Sequence, residues 1–274
     1  MLVFLRNFEA INHFVIISAT YYPTSKIYPK NTAVMLFNAE VNVSTRYPLL
    51  CISYNDTHQI SHPVHTRFAY APVGVCRWTA FISTCPVVEN MKNFTFTFGL
   101  TSSRQVEIPF RKASNRKLEV ATCFSPLFYN ENWQLLITTL EVYRHFGVSL
   151  QVFYIQSMIE EMFDLLEIYK KYDIAAIEPW ATLDLGDQIK QDLGYDPNTQ
   201  LDWRNQATAH TDCLLKYREA ADFIIVGDID DILFPRLAKS YFEEFQLLTI
   251  SNPYAVGFIY NRYNTEIFTT KTIA

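Results

Sequence analysis

Ala221-Asp222-Phe223-Ile224-Ile225-Val226-Gly227-Asp228-Ile229-Asp230-Asp231-Ile232-Leu233-Phe234-Pro235 reads as an apolar strand that runs through a glycine into three carboxylates. Phe223 to Val226 is a short continuous apolar run of the kind found in buried strands. A bare D-x-D arises by chance in a chain of this composition, so its position carries the information. Carboxylates at the carboxyl end of a strand in an open α/β sheet lie where such sheets bind ligands. Clustered like charges raise one another's proton affinity unless a cation sits between them. Hard oxygen donors suit Mg²⁺ or Mn²⁺, which in turn bridge diphosphate oxygens. The plainer alternative is a solvated acidic turn.

Upstream of this stretch the hydrophobic period alternates between strand and helix. Leu118 to Tyr129 predicts a strand and a turn. Glu131 to Phe146 predicts a helix with Trp133, Leu136, Ile137, Leu140 and Tyr143 on one face, Asn130 as a cap and Gly147 as the stop. Leu150 to Ile155 is a second strand. Ser157 and Glu160 have capping-box spacing, and the helix after them places Glu167 to pair with Lys171. Ile174 to Ile177 is a third strand, closing at Pro179-Trp180. Ala181 to Asp202 is a polar stretch too long for a neutral loop. Arg204 to Glu219 is a helix, and a last helix runs from Leu237 to Leu248. This alternation predicts a mostly parallel sheet covered on both faces.

The first 117 residues read differently. Phe14–Tyr22, Thr32–Val43, Tyr47–Tyr54, Arg67–Ala71, Trp78–Thr84, Asn93–Leu100 and Gln105–Phe110 are short and rich in β-branched and aromatic residues. Alternation puts Phe94, Phe96 and Phe98 on one strand face. The expected architecture is a β-rich, sandwich-like module over 1–117, then an α/β domain with a Rossmann-type half-sheet over 118–274. Arg111 to Lys117 is expected to be the solvated connector.

With 274 residues, 49% hydrophobic and 19% charged, the chain can bury a sizeable core. A net charge of −5 disfavours nucleic acid as a partner. Seven glycines, with no G-x-G-x-x-G or P-loop pattern, disfavour a Gly-rich phosphate cradle. No apolar run approaches the ~20 residues of a membrane span, and Arg6 and Glu9 interrupt the start. The expectation is a cytosolic protein or one whose natural N-terminus lies upstream. N-x-[ST] sequons occur at Asn42, Asn55 and Asn93. Of five cysteines, Cys123 and Cys213 lie in the α/β half and read equally as a disulfide or as buried thiols. His58, His62 and His65 read as a polar loop rather than a metal site. His210 reads as a helix-surface or core residue that could alternatively face the ligand.

The blocks Cys123-Phe-Ser-Pro-Leu-Phe-Tyr-Asn-Glu-Asn-Trp133, Pro179-Trp180, and Asn205-Gln-Ala-Thr-Ala-His-Thr-Asp-Cys213 with the D-I-D-D segment resemble glycosyltransferase family 92. Asp231 stands where that family usually has Glu. The resemblance implies a GT-A-type enzyme of the Golgi lumen, held to the membrane by an anchor that this chain does not contain. It would transfer galactose from UDP-galactose, with inversion and with Mn²⁺ or Mg²⁺, to a glycan acceptor. Asp230 is then expected to ligate the metal, Asp228 the ribose or metal, and Asp231 to act as a further ligand or to stand behind one. Pro126, Tyr129 and Asn130 would face uracil or ribose, and Gln206 and Asp212 would belong to the donor site. Glu266 is the candidate general base, while Glu243 and Glu244 read as a solvated helix face. Family catalytic domains extend further past the D-x-D, so the domain is expected to be C-terminally incomplete. Two rival readings remain: a haloacid-dehalogenase-type phosphatase, with Asp228 as nucleophile, and a non-catalytic nucleotide-sugar- or glycan-binding remnant.

Overall fold

The computed structural model describes residues 10–11, 14–41, 49–98, 105–180 and 182–263. Short β-branched and aromatic runs form the first ten strands: β1 (Ala10–Ile11), β2 (Phe14–Tyr22), β3 (Thr32–Glu40), β4 (Leu49–Tyr54), β5 (Gln59–Pro63), β6 (His65–Phe68), β7 (Trp78–Pro86), β8 (Asn93–Phe98), β9 (Gln105–Glu107) and β10 (Arg111–Lys112). One sheet has the order β1-β2-β3-β7-β6, with β10 added parallel to β2. The other has the order β5-β4-β8-β9 and is antiparallel. The two face each other across a core that joins Phe14, Tyr21, Phe37 and Phe81 to Leu49, Phe94 and Phe96. Cys51 of β4 is disulfide-bonded to Cys85 of β7, which ties one sheet to the other. Phe98 and Asn42 lie outside the residues whose side chains are described.

The second half supplies β11 (Leu118–Phe124), α1 (Trp133–His145), β12 (Leu150–Ile155), α2 (Glu160–Lys171), β13 (Ala175–Pro179), α3 (Asp187–Leu193), α4 (Gln206–Tyr217), β14 (Ala221–Gly227) and α5 (Tyr241–Ser251). The strand order is β13-β12-β11-β14 and every pairing is parallel. Counted within this half, the order is 3-2-1-4. The chain therefore winds outward from β11 in one direction and then returns to its other side. Alternate residues of the central strands serve opposite faces. Val120, Phe124, Phe153 and Ile155 pack with α1, α2 and α5, while Ala121, Cys123, Val152 and Tyr154 pack with α4. A disulfide joins Cys123 of β11 to Cys213 of α4 at a Cα separation of 6.1 Å, within the usual range. β14 is an edge strand, with Val226 51% exposed, rather than the buried strand its composition suggests.

The two halves share a core. β3 is buried along Thr32–Ala39 without alternation, because both faces of its sheet are covered. One face meets the second β-sheet. The other packs Tyr22, Val34, Leu36 and Ile82 against Leu215 of α4, and Val15 and Trp78 against Leu183 and Leu185. Of the Ala181–Asp202 stretch, the described residues 182–202 are thus ordered packing that contains α3 and a 3₁₀ turn at Pro197–Gln200. Arg111 also departs from the solvated-connector reading. Its guanidinium reaches Asp212 at 2.6 Å, and Asp212 accepts from Tyr154 Oη at 2.7 Å and from Ser18 Oγ.

Four local expectations are revised. Asn132, not Asn130, caps α1, its Oδ1 accepting from Leu135 N at 3.1 Å. Ser157 does not cap α2, because its Oγ accepts from Tyr129 N instead. Glu167 pairs with Lys170 at 2.8 Å rather than Lys171. His62 lies on β5 and His65 on β6, strands of different sheets, so the three histidines are not one loop.

Arg111→Met leaves Asp212 charged and buried without its cation, and is expected to cost about 3–5 kcal/mol in urea denaturation. Arg111→Met combined with Asp212→Leu should recover most of that loss. Thiol titration in denaturant is expected to find one free thiol before reduction, on Cys76, and five afterwards.

Candidate functional site

Parallel pairing of β11 with β14 runs in register from Leu118↔Ala221 to Phe124↔Gly227. The next residue of each strand, Ser125 and Asp228, therefore emerge side by side. This is the point where the strand order reverses, the crevice position at which open α/β sheets take ligands. Ser125 N donates to Gly227 O at 3.1 Å, carrying the ladder one residue past the strands.

Four side chains converge here. Ser125 Oγ donates to Asp228 Oδ1, and Gln206 Nε2 donates to the same Oδ1 at 2.6 Å and to Ser125 Oγ. His210 Nε2 lies 3.1 Å from Ser125 Oγ. Ser125 has one hydroxyl proton, and with it on Asp228 the serine oxygen can only accept from His210, which fixes the Nε2–H tautomer. Burial pulls the His210 imidazole below its ordinary value, against the pull of Asp228. Gln206 and His210 are four residues apart on α4 and so share a face. Asp212 projects from a different face of the same helix, into the Arg111 cluster, only 3% exposed. That corrects its expected place at the donor site: protein partners already occupy its carboxylate.

The segment after β14 lacks regular structure, yet buried side chains hold its backbone. Asp231 N donates to Asp228 O at 3.1 Å, closing a turn. Thr139 Oγ1 donates to Ile229 O at 2.8 Å, and Tyr143 Oη donates to Asp231 O and accepts from Leu233 N, both at 3.2 Å. Burial pushes the Tyr143 phenol up to about 12, so it stays a donor. Glu244, expected on a solvated face, is 1% exposed. Its Oε2 accepts from Arg236 N and from Leu237 N at 2.6 Å, and its Oε1 accepts from Tyr260 Oη at 2.8 Å. Glu243 is the exposed one, in a cap with Ser240 that starts α5.

The three aspartates differ. Asp228 is held by Ser125 and Gln206. Asp230 is exposed. Asp231 forms an ion pair with Arg262, and burial pushes its carboxyl up, with Asp230 and Asp228 adding to the rise against the pull of Arg262. Among the described residues no three His, Cys, Asp or Glu side chains gather as a cation cage. Mg²⁺-like ions need none, since they bind through one or two carboxylates plus substrate phosphates. Asp228 and Asp230 carry hard carboxylate oxygens of the kind such an ion takes.

Around this cluster Pro126 is buried, while Tyr129 is 78% exposed at φ 46°. Asn130 pairs with Met158 beyond β12, and its Oδ1 is buried without a protein partner among the described residues. These residues therefore lie on the β12 side of β11, whereas the Asp228 cluster lies on the β14 side. Trp203, Arg204 and Asn205, just before α4, all have positive φ, which costs about 1–2 kcal/mol for each bulky residue. Glu266 lies outside the described residues. Sequence reasoning named no role for Ser125, whose signals were its place directly after a strand and within the Cys123–Trp133 block.

A parallel sheet with 3-2-1-4 order and carboxylates at its reversal defines an open α/β fold whose ligand edge lies at Ser125 and Asp228. Residues 118–273 match the family model of glycosyltransferase family 92, and the chain belongs to that family. Three Caenorhabditis elegans proteins named as glycosyltransferase family 92 members are 37%, 33% and 35% identical to it. These alignments cover 95%, 92% and 92% of this chain, and 50%, 49% and 48% of the respective relatives. The chain thus spans about half the length of those relatives. Family membership displaces the phosphatase reading. No helix among the described residues is long and apolar enough to cross a membrane.

Glu244→Ala strips the acceptor from two backbone N–H groups and is expected to cost about 2–4 kcal/mol in chemical denaturation, against under about 1 kcal/mol for exposed Glu243→Ala. His210 titrates higher in the unfolded chain than in the folded one, so its contribution to stability is lost as pH falls through the unfolded value of about 6.5. The stability advantage of wild type over His210→Asn should therefore shrink between pH 8 and pH 5 in urea melts.

Proposed function

We propose that this chain is the donor-binding part of a GT-A-type glycosyltransferase. It takes a UDP-hexose, UDP-galactose by family likeness, together with Mn²⁺ or Mg²⁺, and serves inverting transfer to a glycan acceptor. The observation that carries the reading is the placement of Asp228 beside Ser125 at the reversal of the parallel sheet. Family membership and the names of the C. elegans relatives support it. The domain division at residue 117 belongs to the same proposal, as does a location in the lumen of the secretory pathway, specifically the Golgi. Two disulfides suit that compartment.

The difficult part of glycosyl transfer is the charge that builds on the departing diphosphate, and fixed electrostatic stabilisation is its remedy. A divalent cation bound here would neutralise that charge. Asp228 and Asp230 would hold it. Ser125, Gln206 and His210 fix the orientation of the Asp228 carboxylate before any ligand arrives. The Thr139, Tyr143 and Glu244 contacts keep the Asp228–Leu237 backbone from moving as charge develops. Asp231 neutralises Arg262, so it is the least suited of the three to ligate metal. Tyr129 and Asn130 line the path proposed for the base and ribose, and Glu266 is the proposed general base.

Calorimetry of UDP with and without Mn²⁺ tests the site. Wild type is expected to bind UDP only with Mn²⁺, and Asp230→Ala to weaken binding at least tenfold. Equal UDP affinity with and without the metal, or in the variant, would overturn the metal assignment. UDP binding with no transfer from UDP-galactose would mark a binding remnant instead.

A further inference from the structure

Seven non-glycine residues among those described have positive φ. Four, Asn31, Asn90, Asp173 and Asn205, are residue types that tolerate the left-handed region. The other three, Tyr129, Trp203 and Arg204, lie in the segments just after Ser125 and just before Gln206. Tyr129 follows Ser125 by four residues, and Trp203 precedes Gln206 by three. That spacing keeps the Trp203 and Gln206 Cα atoms within about 11 Å. Strain of this kind persists only where surrounding contacts over-determine it, and it collects at ligand sites.

The contacts that hold the 203–205 turn lie beneath it. Asn205 is buried, and its Oδ1 accepts from Thr208 Oγ1. The Arg204 guanidinium lies 5.3 Å from the Phe128 ring centroid, fastening the turn to the segment after β11. Gln206 is fixed to Ser125 and Asp228. The product of this anchoring is Trp203, 80% exposed on the turn that leads directly into Gln206 of the Ser125–Asp228 cluster. A large ring held in water on strained backbone contributes nothing to the core. An indole face carries a negative quadrupole and a broad apolar area. The complementary partner is a flat, uncharged surface of polarised C–H bonds, which is what a pyranose ring presents.

We infer that Trp203, on the left-handed turn fastened by Arg204 and Asn205, is a stacking platform for a hexopyranose ring of donor or acceptor. The inference rests on the glycosyltransferase reading and names a residue that binds substrate within it.

The test uses the full chain with Mn²⁺. Calorimetry measures UDP and UDP-galactose. Ligand-observed NMR measures the methyl glycosides of galactose, N-acetylglucosamine, mannose and fucose. Trp203→Gly relieves the positive φ and is expected to melt no lower than wild type, so lost binding is not lost folding. The expected result is at least a tenfold loss on UDP-galactose (a donor ring) or on one methyl glycoside (an acceptor ring). UDP itself should stay within twofold, and Trp203→Phe should retain most of the affinity. An equal loss on UDP would make Trp203 a base platform, and unchanged saccharide binding would remove its role; either overturns the inference while the UDP site stands. Wild type that binds neither UDP nor any saccharide overturns the glycosyltransferase reading as well.

Discussion

The parallel pairing of β11 with β14 is the constraint on which the rest of the α/β half depends. It pairs six residues of each strand in one register, from Leu118 and Ala221 to Phe124 and Gly227. Because the register has no slack, Ser125 and Asp228 leave the sheet as neighbours. The fold thereby builds a carboxylate with a preset orientation before any ligand binds. A slip of one residue would turn Asp228 to the opposite face of the sheet and remove Gln206 from its reach.

That register is secured from below. The Cys123–Cys213 disulfide clamps α4 to β11 about one turn from His210 and two turns from Gln206. Asp212, the adjacent residue, is tied to Arg111 of β10, Ser18 of β2 and Tyr154 of β12. The β-rich half thus positions α4 through a buried ion pair, and α4 positions the site. Breaking one partner of such a pair costs far more than the pair itself contributes, so the interface tolerates little change.

Much of this was legible in the sequence because periodicity reports burial. The 3.6-residue spacing of Leu136, Leu140 and Tyr143 and the alternation of Phe94 and Phe96 both reflect a single covered face. Where two faces are covered, the signal disappears: β3 is buried throughout, and Leu183 and Leu185 lie in a segment that reads as polar loop. Of the site, the strand-end aspartates and Gln206 were legible by position and resemblance. Glu244 was not, because a buried carboxylate that caps backbone N–H groups looks in sequence like a solvated one. Asp212 misled for the converse reason: its neighbours in sequence point to the crevice, while its own place on the helix turns it toward Arg111.

The chemistry that follows is economical. Preset carboxylates, a pinned loop and an exposed aromatic on a fixed turn suit a site in which the ligand brings the charge and the protein supplies the geometry. Electron paramagnetic resonance of Mn²⁺ titrated against this chain tests that idea most directly. The account predicts a bound-ion signal that needs UDP and carries ³¹P coupling from the diphosphate. A bound Mn²⁺ signal of equal strength without UDP, or one with no phosphorus coupling, would contradict it.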